Sequence, residues 1–410
     1  MERFRSHTTV LPKDELRAAW VVRYALTSQD EIDRAVDYAI RARFHLLFVQ
    51  VRGRGDAYYV SDLEPAAGDV ERPVDEFDPL EYFLARAHEA GIAVHVWINV
   101  YYVWSDHQNS PPPDHIVRRH PEWLVSNQDG VRMDKLPVSV WQGRGIEGYF
   151  VSPSNREVRR HIVEVIQDIT SRYPIDGVHL DYVRYPGIDF DFGPTERTAF
   201  ALRFGVDPLH LRDDVEEKES FSGVPDVVGT EIEALLDSTY TEWRVSQVDS
   251  LVRLVRTAIG KLPLSAAVVP EIGTARVAKG QGWPRWVQER IVDFIVPMAY
   301  NYEPAELVRL VRTIRRTVGA EHLLVGLPVF DGRSRYLGYS VSLLRQEGVL
   351  GYSLFSYNEL EKEPFSVRFL ERVFLGEPVE SDESEESPES DELEESHESD
   401  ESEERETPRE

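Results

Sequence analysis

The sequence alternates short apolar segments with amphipathic segments eight times, and this pattern limits the possible folds more than any other feature. The apolar segments are rich in Val, Ile, Leu and aromatic residues, as expected of strands covered on both faces. The segments between them repeat apolar residues at helical spacing. Strands that alternate with helices form parallel sheets with helical crossovers, so eight units predict an α/β fold of the (β/α)₈ TIM-barrel type. An open doubly wound sheet is the alternative, although no glycine-rich phosphate loop follows the first strand.

The predicted strands and helices extend from residue 16 to residue 375. Strands are predicted within residues 16–26 and over residues 44–52, 92–103, 178–182, 264–270, 294–302, 323–330 and 349–356. Helices are predicted over residues 29–42, 79–90, 154–172, 239–259, 283–290, 304–318, 336–346 and 363–375. Ser154 is the expected N-cap of its helix, and Glu157 would complete a capping box.

Long insertions follow the second, third and fourth strands, the last over residues 187–231. Each insertion begins at the carboxyl end of a strand, so all three lie on the catalytic face of a barrel and are expected to form the walls of a cleft. Their aromatic side chains suit stacking on sugar rings, and packing within the insertions is the other role open to each. These residues are Trp104, Trp123, Trp141, Tyr149, Phe190 and Phe192.

Negative charge is concentrated at the C-terminus. The formal net charge of −27 argues against nucleic acid and against an anionic membrane surface as partners. Residues 377–410 hold 18 Asp and Glu against two Arg, interspersed with Ser. Such a segment cannot bury enough apolar surface to offset the entropy lost on ordering. We therefore predict a barrel domain over residues 1–376 and a disordered acidic tail over residues 377–410.

Several classes of protein are excluded or disfavoured by composition. The chain has no cysteine, which excludes disulfides, thiolate metal sites and a cysteine nucleophile. No window approaches 18 apolar residues, so no membrane-spanning helix is expected. The N-terminal residues lack the apolar core of a signal peptide, so the chain is expected to be cytoplasmic, with export as the alternative if a signal precedes the sequence as read.

Residues 176–186, DGVHLDYVRYP, crowd ionisable side chains at the end of the fourth predicted strand. Residues two apart in a strand share a face, so His179 and Asp181 point the same way. A buried carboxylate is costly unless it is partnered, and the carboxyl ends of parallel strands are where α/β barrels hold their catalytic groups. Asp181 is therefore predicted to be catalytic; capping of the next loop or pairing with Arg184 is the alternative.

The other strand ends supply mostly carboxylates, amides, phenols and indoles. The residues expected to bind substrate there are Gln50, Arg52, Trp97, Asn99, Tyr101, His179, Arg184, Tyr300, Tyr302, Asp331 and Asn358. The histidines lack the spacing of a metal site and no serine lies in a nucleophile-elbow motif, so neither a metal, a cofactor nor a Ser-His-Asp arrangement is expected. Paired carboxylates remain: a neutral one protonates a leaving oxygen, and an ionised one acts as nucleophile or base.

The two carboxylates of this pair are predicted to be Asp181 and Glu271. Arg184 beside Asp181, and Arg52 if it lies near, are expected to keep Asp181 ionised, as nucleophile or electrostatic stabiliser. Glu271 follows an apolar run on the neighbouring fifth strand and is predicted to be the general acid, at the roughly 5–5.5 Å separation of retaining enzymes. Glu303 and Asp331 would suit the wider separation of inverting enzymes, and a solvated loop acid is the other role open to Glu271.

Several segments resemble signatures of the glycosyl hydrolase-like 10 family. They are FVQVR and GDAYY at 48–52 and 55–59, VHVWIN at 94–99, HPEWL at 120–124, DGVHLDYVRYP at 176–186 and VPMAY at 296–300. The resemblance covers about residues 15–375 and implies a TIM-barrel glycosidase with Asp181 as the matching acid. The sequence departs from the family in Met298, where Gln is frequent, in the end of its fifth strand and in lacking the usual export signal.

The resemblance implies bacterial cell-wall glycan as a substrate class, including peptidoglycan strands without peptides. The leading hypothesis is therefore a glycoside hydrolase acting on a β-linked glycan that contains amino sugars. A glycan-binding barrel without turnover is the competing hypothesis. The two differ in whether a pair of carboxylates lies at catalytic separation across the cleft. The sugar, the linkage and the oligomeric state stay open.

Overall fold

The computed structural model describes residues 15–71, 73, 76–105, 110–211, 226–362 and 366–375. The predicted acidic tail lies outside these residues. The barrel strands are β1 Leu16–Val21, β2 Leu46–Arg52, β3 Ala93–Asn99, β6 Gly177–Asp181, β7 Leu264–Val268, β8 Phe294–Pro297, β9 Leu324–Pro328 and β10 Gly351–Phe355. A separate antiparallel pair consists of β4 Tyr102–Trp104 and β5 Tyr149–Phe150.

Helices follow most of the barrel strands. The α-helices are α1 Gln29–Arg41, α2 Pro79–Glu89, α3 Ile116–Arg119, α4 Val138–Gln142, α5 Arg156–Arg172, α6 Pro194–Phe204, α7 Asp226–Ile259, α8 Ile272–Val277, α9 Trp283–Gln288, α10 Pro304–Val318, α11 Leu337–Glu347, α12 Tyr357–Leu360 and α13 Ser366–Leu375. Short 3₁₀ helices cover Arg23–Leu26, Pro121–Trp123, Met133–Lys135, Pro208–Leu211, Ala320–His322 and Arg333–Tyr336.

The eight barrel strands run parallel in the order β8-β7-β6-β3-β2-β1-β10-β9. Two further parallel bridges, Ile295 to Leu323 and Met298 to Gly326, join the region of β8 to that of β9 and close the ring. The first and last strands therefore pair, with Leu16 opposite Gly351. This is the predicted (β/α)₈ TIM barrel.

Glycine is required where the first and last strands pair. Gly351 has a φ of 153°, and a Cβ at this position would overlap the carbonyl oxygen of Leu16. Glycine has no Cβ, so the two backbones can approach closely here. The closure of the barrel thus depends on the absence of one side chain.

Buried side chains form two layers. A large layer packs the outer faces of the strands against the helices, and a smaller cluster inside the ring includes Trp20, Phe48 and Phe294. His179 lies inside the ring as well, stacked on Phe48 at 4.0 Å between ring centroids. Trp20 Nε1 donates to His179 Nε2 at 3.1 Å, which leaves the proton on Nδ1, 2.9 Å from Ser265 Oγ. Burial, with His95 nearby, lowers the pKa of His179 well below its usual value, so the imidazole is neutral.

Two predicted helix starts were wrong. Helix α5 begins at Arg156, and its N-cap is Asn155, whose Oδ1 accepts from Glu157 N at 2.8 Å. Ser154 instead donates to Asp191 and lies 2.9 Å from the Tyr185 hydroxyl, because the next insertion offers it a buried carboxylate. Helix α7 begins thirteen residues earlier than the predicted start at residue 239.

The predicted third strand was too long. Strand β3 ends at Asn99. The chain then bends, and β4 begins at Tyr102. The backbone amide of Val100 donates to Asp181 O at 2.8 Å, and β4 then pairs with β5. The apolar run continues through this change of partner, so its composition does not mark where the barrel strand ends.

The insertions after β3 and β6 pack against each other. Both Asp191 N and Phe192 N donate to Ser126 O, at 2.8 and 3.0 Å, and Asn127 bridges to Phe190. Backbone hydrogen bonds of this kind fix one insertion relative to the other. Together they hold a wall over the carboxyl ends of β3 and β6.

Candidate active site

A pocket with a volume of about 540 Å³ opens at the carboxyl ends of the barrel strands. Of the residues predicted to act there, it gathers Gln50, Trp97, Asn99, Asp181, Arg184 and Tyr300. Asn99 and Asp181 are the last residues of β3 and β6 and stand opposite each other in the strand pairing. The pocket therefore lies where the strand pattern predicts it.

Asp181 is buried within this pocket, with 7% of its surface exposed. Its Oδ1 accepts a hydrogen bond from the backbone amide of Tyr182 at 2.6 Å. Burial raises the pKa of Asp181 to about 6, since the Tyr182 amide and the Arg184 charge only partly offset it and the negative charge of Glu147 adds to it. Desolvation therefore outweighs the basic neighbours that were expected to lower this pKa. The predicted role of Asp181 as the ionised carboxylate of the pair stays a prediction.

Arg52 is not in the pocket. Its side chain is fully buried in the insertion after β2, where Nη2 donates to Glu64 Oε1 at 2.6 Å and Nη1 donates to the carbonyl oxygens of Asn99 and Val100. Burial alone would raise the pKa of Glu64, but Arg52 and His161 outweigh it and hold that pKa at about 2. The structure thus assigns Arg52 to a buried ion pair, away from the substrate position predicted for it.

Three other predicted binding residues serve the framework. His179 lies inside the barrel below the pocket, as described above. Tyr101 is fully buried, and its hydroxyl has no hydrogen-bond partner among the described residues. The side-chain oxygen of Asn358 accepts from Val22 N at 3.0 Å and ties helix α12 to the end of β1. Tyr101 and Asn358 follow strand ends in sequence and His179 lies within β6, but none of the three lines the pocket.

Glu271 and Tyr302 lie in a neighbouring groove of about 540 Å³ that shares Pro270 and Asn301 with the pocket. Glu271 is exposed at the N-cap of α8 and accepts a hydrogen bond from the Tyr302 hydroxyl. The structure does not bring Glu271 to the pocket that holds Asp181. Its predicted part as general acid stays a prediction.

The other two carboxylates considered for the pair also lie outside the pocket. Glu303 is the N-cap of α10, where its amide donates to Glu306 Oε2 at 3.3 Å. Asp331 is exposed on the loop after β9 and has a φ of 53°. Neither acid therefore accompanies Asp181 among the residues that line the pocket.

Aromatic rings form much of the pocket wall. Tyr300 stacks on Phe355 with centroids 5.3 Å apart, and Phe330 and Trp20 meet Tyr300 edge-on. Burial and the nearby Asp181 raise the pKa of the Tyr300 phenol well above its usual value. The phenol therefore stays protonated at physiological pH and can donate a hydrogen bond.

Polar side chains on the other side of the pocket are held by a short chain of hydrogen bonds. Trp97 Nε1 donates to Asn99 Oδ1 at 2.9 Å, and Asn99 Nδ2 donates to Gly53 O at 2.8 Å. Gln50 Oε1 accepts from the backbone and the guanidinium of Arg23, each at 3.3 Å. These contacts fix the amides before a ligand arrives.

Most aromatic residues of the insertions pack inside the fold. Trp104, Trp123, Trp141, Phe190 and Phe192 are buried, and Tyr149 is partly buried. None of them lines the pocket. Packing, the alternative considered for each, is therefore what the structure shows.

Sequence reasoning missed several pocket residues, among them Arg23, Tyr102, Glu147 and Tyr182, which carry polar groups. Tyr182 could have been found, since it directly follows Asp181 at a strand end. Glu147 lies between α4 and β5, deep in the insertion after β3. No periodicity separates it from the other acids of that insertion, so no sequence signal could have identified it.

The described residues offer neither a metal-binding cluster nor a membrane-spanning helix. No three His, Asp or Glu side chains among them are grouped to hold a metal ion. In the same part of the chain, every helix is too short or too polar to cross a lipid bilayer.

A parallel eight-stranded barrel with a buried carboxyl and aromatic walls at its strand ends has the architecture of glycan-acting TIM barrels. The model of the Glycosyl hydrolase-like 10 family matches residues 15–317, so the chain belongs to that family. Glycosyl hydrolase YngK of Bacillus subtilis is 22% identical over 322 residues, which cover 70% of this chain and 54% of that protein. Glycosyl hydrolase DigH of Escherichia coli is 26% identical over 200 residues, 44% of this chain and 41% of that protein. The chain thus spans about half the length of these relatives or less.

Solved structures share the fold. The glycoside hydrolase domain of PgaB (BpsB) from Bordetella bronchiseptica has a TM-score of 0.64 at 14% identity, covering 87% of this chain and 98% of that domain. The catalytic domain of β-amylase from Paenibacillus polymyxa has a TM-score of 0.59 at 12% identity, covering 90% of this chain and all of that domain.

Proposed function

We propose that this protein is a glycoside hydrolase that uses Asp181 as the general acid. One observation carries the proposal: a buried carboxyl whose pKa is about 6 lies among aromatic walls at the carboxyl ends of the strands. A general acid must hold its proton near neutral pH, and burial is the usual way to raise the pKa of a carboxyl group.

The pocket supplies what cleavage of a glycosidic bond needs. The stacked rings of Tyr300 and Phe355 offer apolar surface to the C–H face of a sugar. The amides of Gln50 and Asn99 are fixed in position and can hydrogen-bond to its hydroxyl groups. The Asp181 proton would pass to the glycosidic oxygen as its bond to the anomeric carbon breaks.

We further propose a bacterial cell-wall glycan that contains amino sugars as the substrate. Membership of the Glycosyl hydrolase-like 10 family supports this proposal, and the names of the two relatives support glycosyl hydrolysis in general. The groove that adjoins the pocket at Pro270 and Asn301 offers room for a neighbouring part of a long chain.

The test is an assay of the purified protein on peptidoglycan glycan strands, chitin oligomers and a panel of plant β-glucans. We expect the wild type to release products from an amino-sugar glycan, and Asp181→Asn to lower kcat by about 10²–10⁴-fold with little change in KM. Because only the protonated acid can donate, kcat should fall as pH rises above about 6.

Substrate binding without product from any of these glycans would favour the alternative, a glycan-binding barrel without turnover. Full activity in Asp181→Asn would remove Asp181 from the mechanism. Isothermal titration with the same glycans separates these outcomes, because it measures binding in the wild type and in the variant alike.

A further inference from the structure

Among the described residues that line the pocket, Asp181 and Glu147 are the two that carry a carboxyl group. Asp181 comes from the barrel, at the end of β6, whereas Glu147 comes from the insertion that covers β3. Glu147 is exposed, so water reaches its carboxylate. The pocket therefore contains one buried carboxyl group and one that is exposed to solvent.

Tyr182 connects the two carboxylates. Its backbone amide donates to Asp181 Oδ1, and its hydroxyl donates to Glu147 Oε2. Its φ of 47° is uncommon for a residue with a large side chain, and this conformation accompanies both contacts. The ring is held between Tyr102, stacked at 4.7 Å, and the Arg184 guanidinium, 4.6 Å from the ring centroid. One rigid residue thus sets the position of both acids.

The two acids also affect each other electrostatically. Negative charge on Glu147 is one of the causes that raise the pKa of Asp181, after burial. The negative charge of Glu147 therefore favours the protonated form of Asp181. A neutral acid next to an ionised base is the state that glycoside hydrolysis starts from.

We propose that Glu147 is the second carboxylate of the reaction, acting as the general base opposite Asp181. This inference rests on the proposed function. Because Glu147 is exposed, it can hold a water molecule against the substrate. The water oxygen attacks the anomeric carbon and gives a proton to Glu147. The electron pair of the breaking C–O bond goes to the leaving oxygen, which takes the Asp181 proton, and solvent later carries a proton from Glu147 back to Asp181.

This assignment competes with Glu271. Glu271 is exposed in the adjoining groove and hydrogen-bonded to Tyr302, and it does not line the pocket that contains Asp181. A base must lie within reach of the reacting carbon, and on the described residues Glu147 meets this requirement better.

The experiment compares Glu147→Gln, Glu271→Gln and the control Glu122→Gln on the glycan that the wild type cleaves. Glu122 is an exposed acid of the same insertion that lies outside the pocket. We expect Glu147→Gln to lower kcat by about 10²–10⁴-fold at nearly constant KM and Glu122→Gln to match the wild type. A large loss in Glu271→Gln with normal turnover in Glu147→Gln would make Glu271, and not Glu147, the second carboxylate of the reaction.

Proton NMR of the fresh product gives a second measurement. A base that activates water delivers it to the face opposite the leaving group, so the product should have the inverted anomeric configuration. A retained configuration would contradict the general-base role of Glu147 while leaving Asp181 as the acid.

A third measurement does not depend on turnover. The pKa of Asp181, followed by carbon NMR of its carboxyl group, should fall in Glu147→Gln because a neighbouring negative charge is gone, and should not move in Glu122→Gln. An unmoved Asp181 pKa in Glu147→Gln would show that the two acids do not share a site and would overturn the pairing. An inactive wild type would refute the proposed hydrolase, and the Glu147 role with it, whereas an active Glu147→Gln would refute the Glu147 role alone.

Discussion

Asp181 shows how a single buried residue can favour function over stability. In the folded chain its pKa is about 6, against 3.8 for an unperturbed Asp, so the folded state binds the proton more tightly than the unfolded state does. The stability that this provides is fully present below pH 3.8 and is lost as pH rises through 6. At neutral pH the ionised Asp181 therefore destabilises the fold.

Asp181→Asn should stabilise the protein at neutral pH while reducing activity. The amide carries no charge to desolvate, so the gain in the free energy of unfolding should reach up to about 3 kcal/mol at pH 7.5 and be small at pH 4. Urea unfolding of wild type and variant at the two pH values measures this. Equal gains at both pH values would show that the effect does not arise from protonation.

Arg52 and Glu64 form a buried ion pair whose disruption should be costly. Arg52→Ala leaves Glu64 charged and buried without its main partner, which should reduce the free energy of unfolding by about 3–5 kcal/mol. The double variant Arg52→Met with Glu64→Gln removes both charges and should recover much of that loss. Chemical denaturation of the three proteins is the measurement, and a stable Arg52→Ala would disprove the structural role.

The location of Asp181 could be predicted from sequence, but its protonation state could not. Strand periodicity and the turn at residues 176–177 place Asp181 at a strand end, and the structure confirms that position. The pKa depends on which side chains surround the carboxyl group, and those come from β3, from the segment after β8 and from a long insertion. Arg52 was predicted to lie near Asp181 because it also ends a strand. The end of a strand predicts a position on the rim of the barrel, but it does not predict which side chain becomes the partner of that residue.

At the scale of elements, the insertion after β6 contains a buried acid that should respond to pH. Glu196, in the first turn of α6, is buried, and burial together with the nearby Asp191 carboxylate raises its pKa to about 7. The folded state therefore holds this proton more tightly than the unfolded chain. Its contribution to stability is present below pH 4.5 and is lost as pH rises through 7.

Glu196→Gln should consequently stabilise the insertion above neutral pH. We expect a gain on the order of 1–3 kcal/mol at pH 8 and nearly none at pH 4. Hydrogen exchange of residues 190–204 at the two pH values would locate the effect, and thermal unfolding would give its size. Protection factors, which are corrected for the faster intrinsic exchange at high pH, should be higher at pH 4 than at pH 8 in the wild type and should differ little between the two pH values in the variant.

Element boundaries were less predictable than the elements themselves. Helix α5 was expected from its apolar spacing, yet its first residue depends on whether Ser154 caps it or bonds to Asp191 in another insertion. The end of β3 depends in the same way on the pairing of β4 with β5. These boundaries depend on contacts with residues that are distant in the sequence, so the local sequence does not predict them.

At the scale of the whole molecule, the order of strands and helices was sufficient to predict the barrel. Eight parallel strands can close only if the first and last pair, and that pairing places all the carboxyl ends on one face. The closure itself depends on Gly351, which the sequence pattern did not single out. The requirement comes from the approach of Leu16, a residue more than three hundred positions away.

Gly351→Ala should open the seam between β1 and β10. The added Cβ would overlap the Leu16 carbonyl oxygen, so the strands must separate and lose hydrogen bonds. We expect a fall in melting temperature of several degrees or loss of soluble protein. Gly130→Ala is the matched control, since Gly130 also has a positive φ but an added Cβ there meets no atom within 4 Å. Equal effects of the two changes would show that backbone strain, and not the seam, is responsible.

The pairing of β1 with β10 also affects how the barrel folds during synthesis of the chain. Strand β1 is the first of the barrel strands to be made, but its second edge has no partner until Phe355 of β10 has left the exit tunnel. Glu15 and Arg345, which form an ion pair beside that seam, are separated by 330 positions in the chain. Contacts between such distant residues form slowly, and unpaired strand edges invite aggregation meanwhile. Slower translation or chaperone cover until β10 has been made should therefore decide the yield of folded protein more than the stability of the finished barrel does.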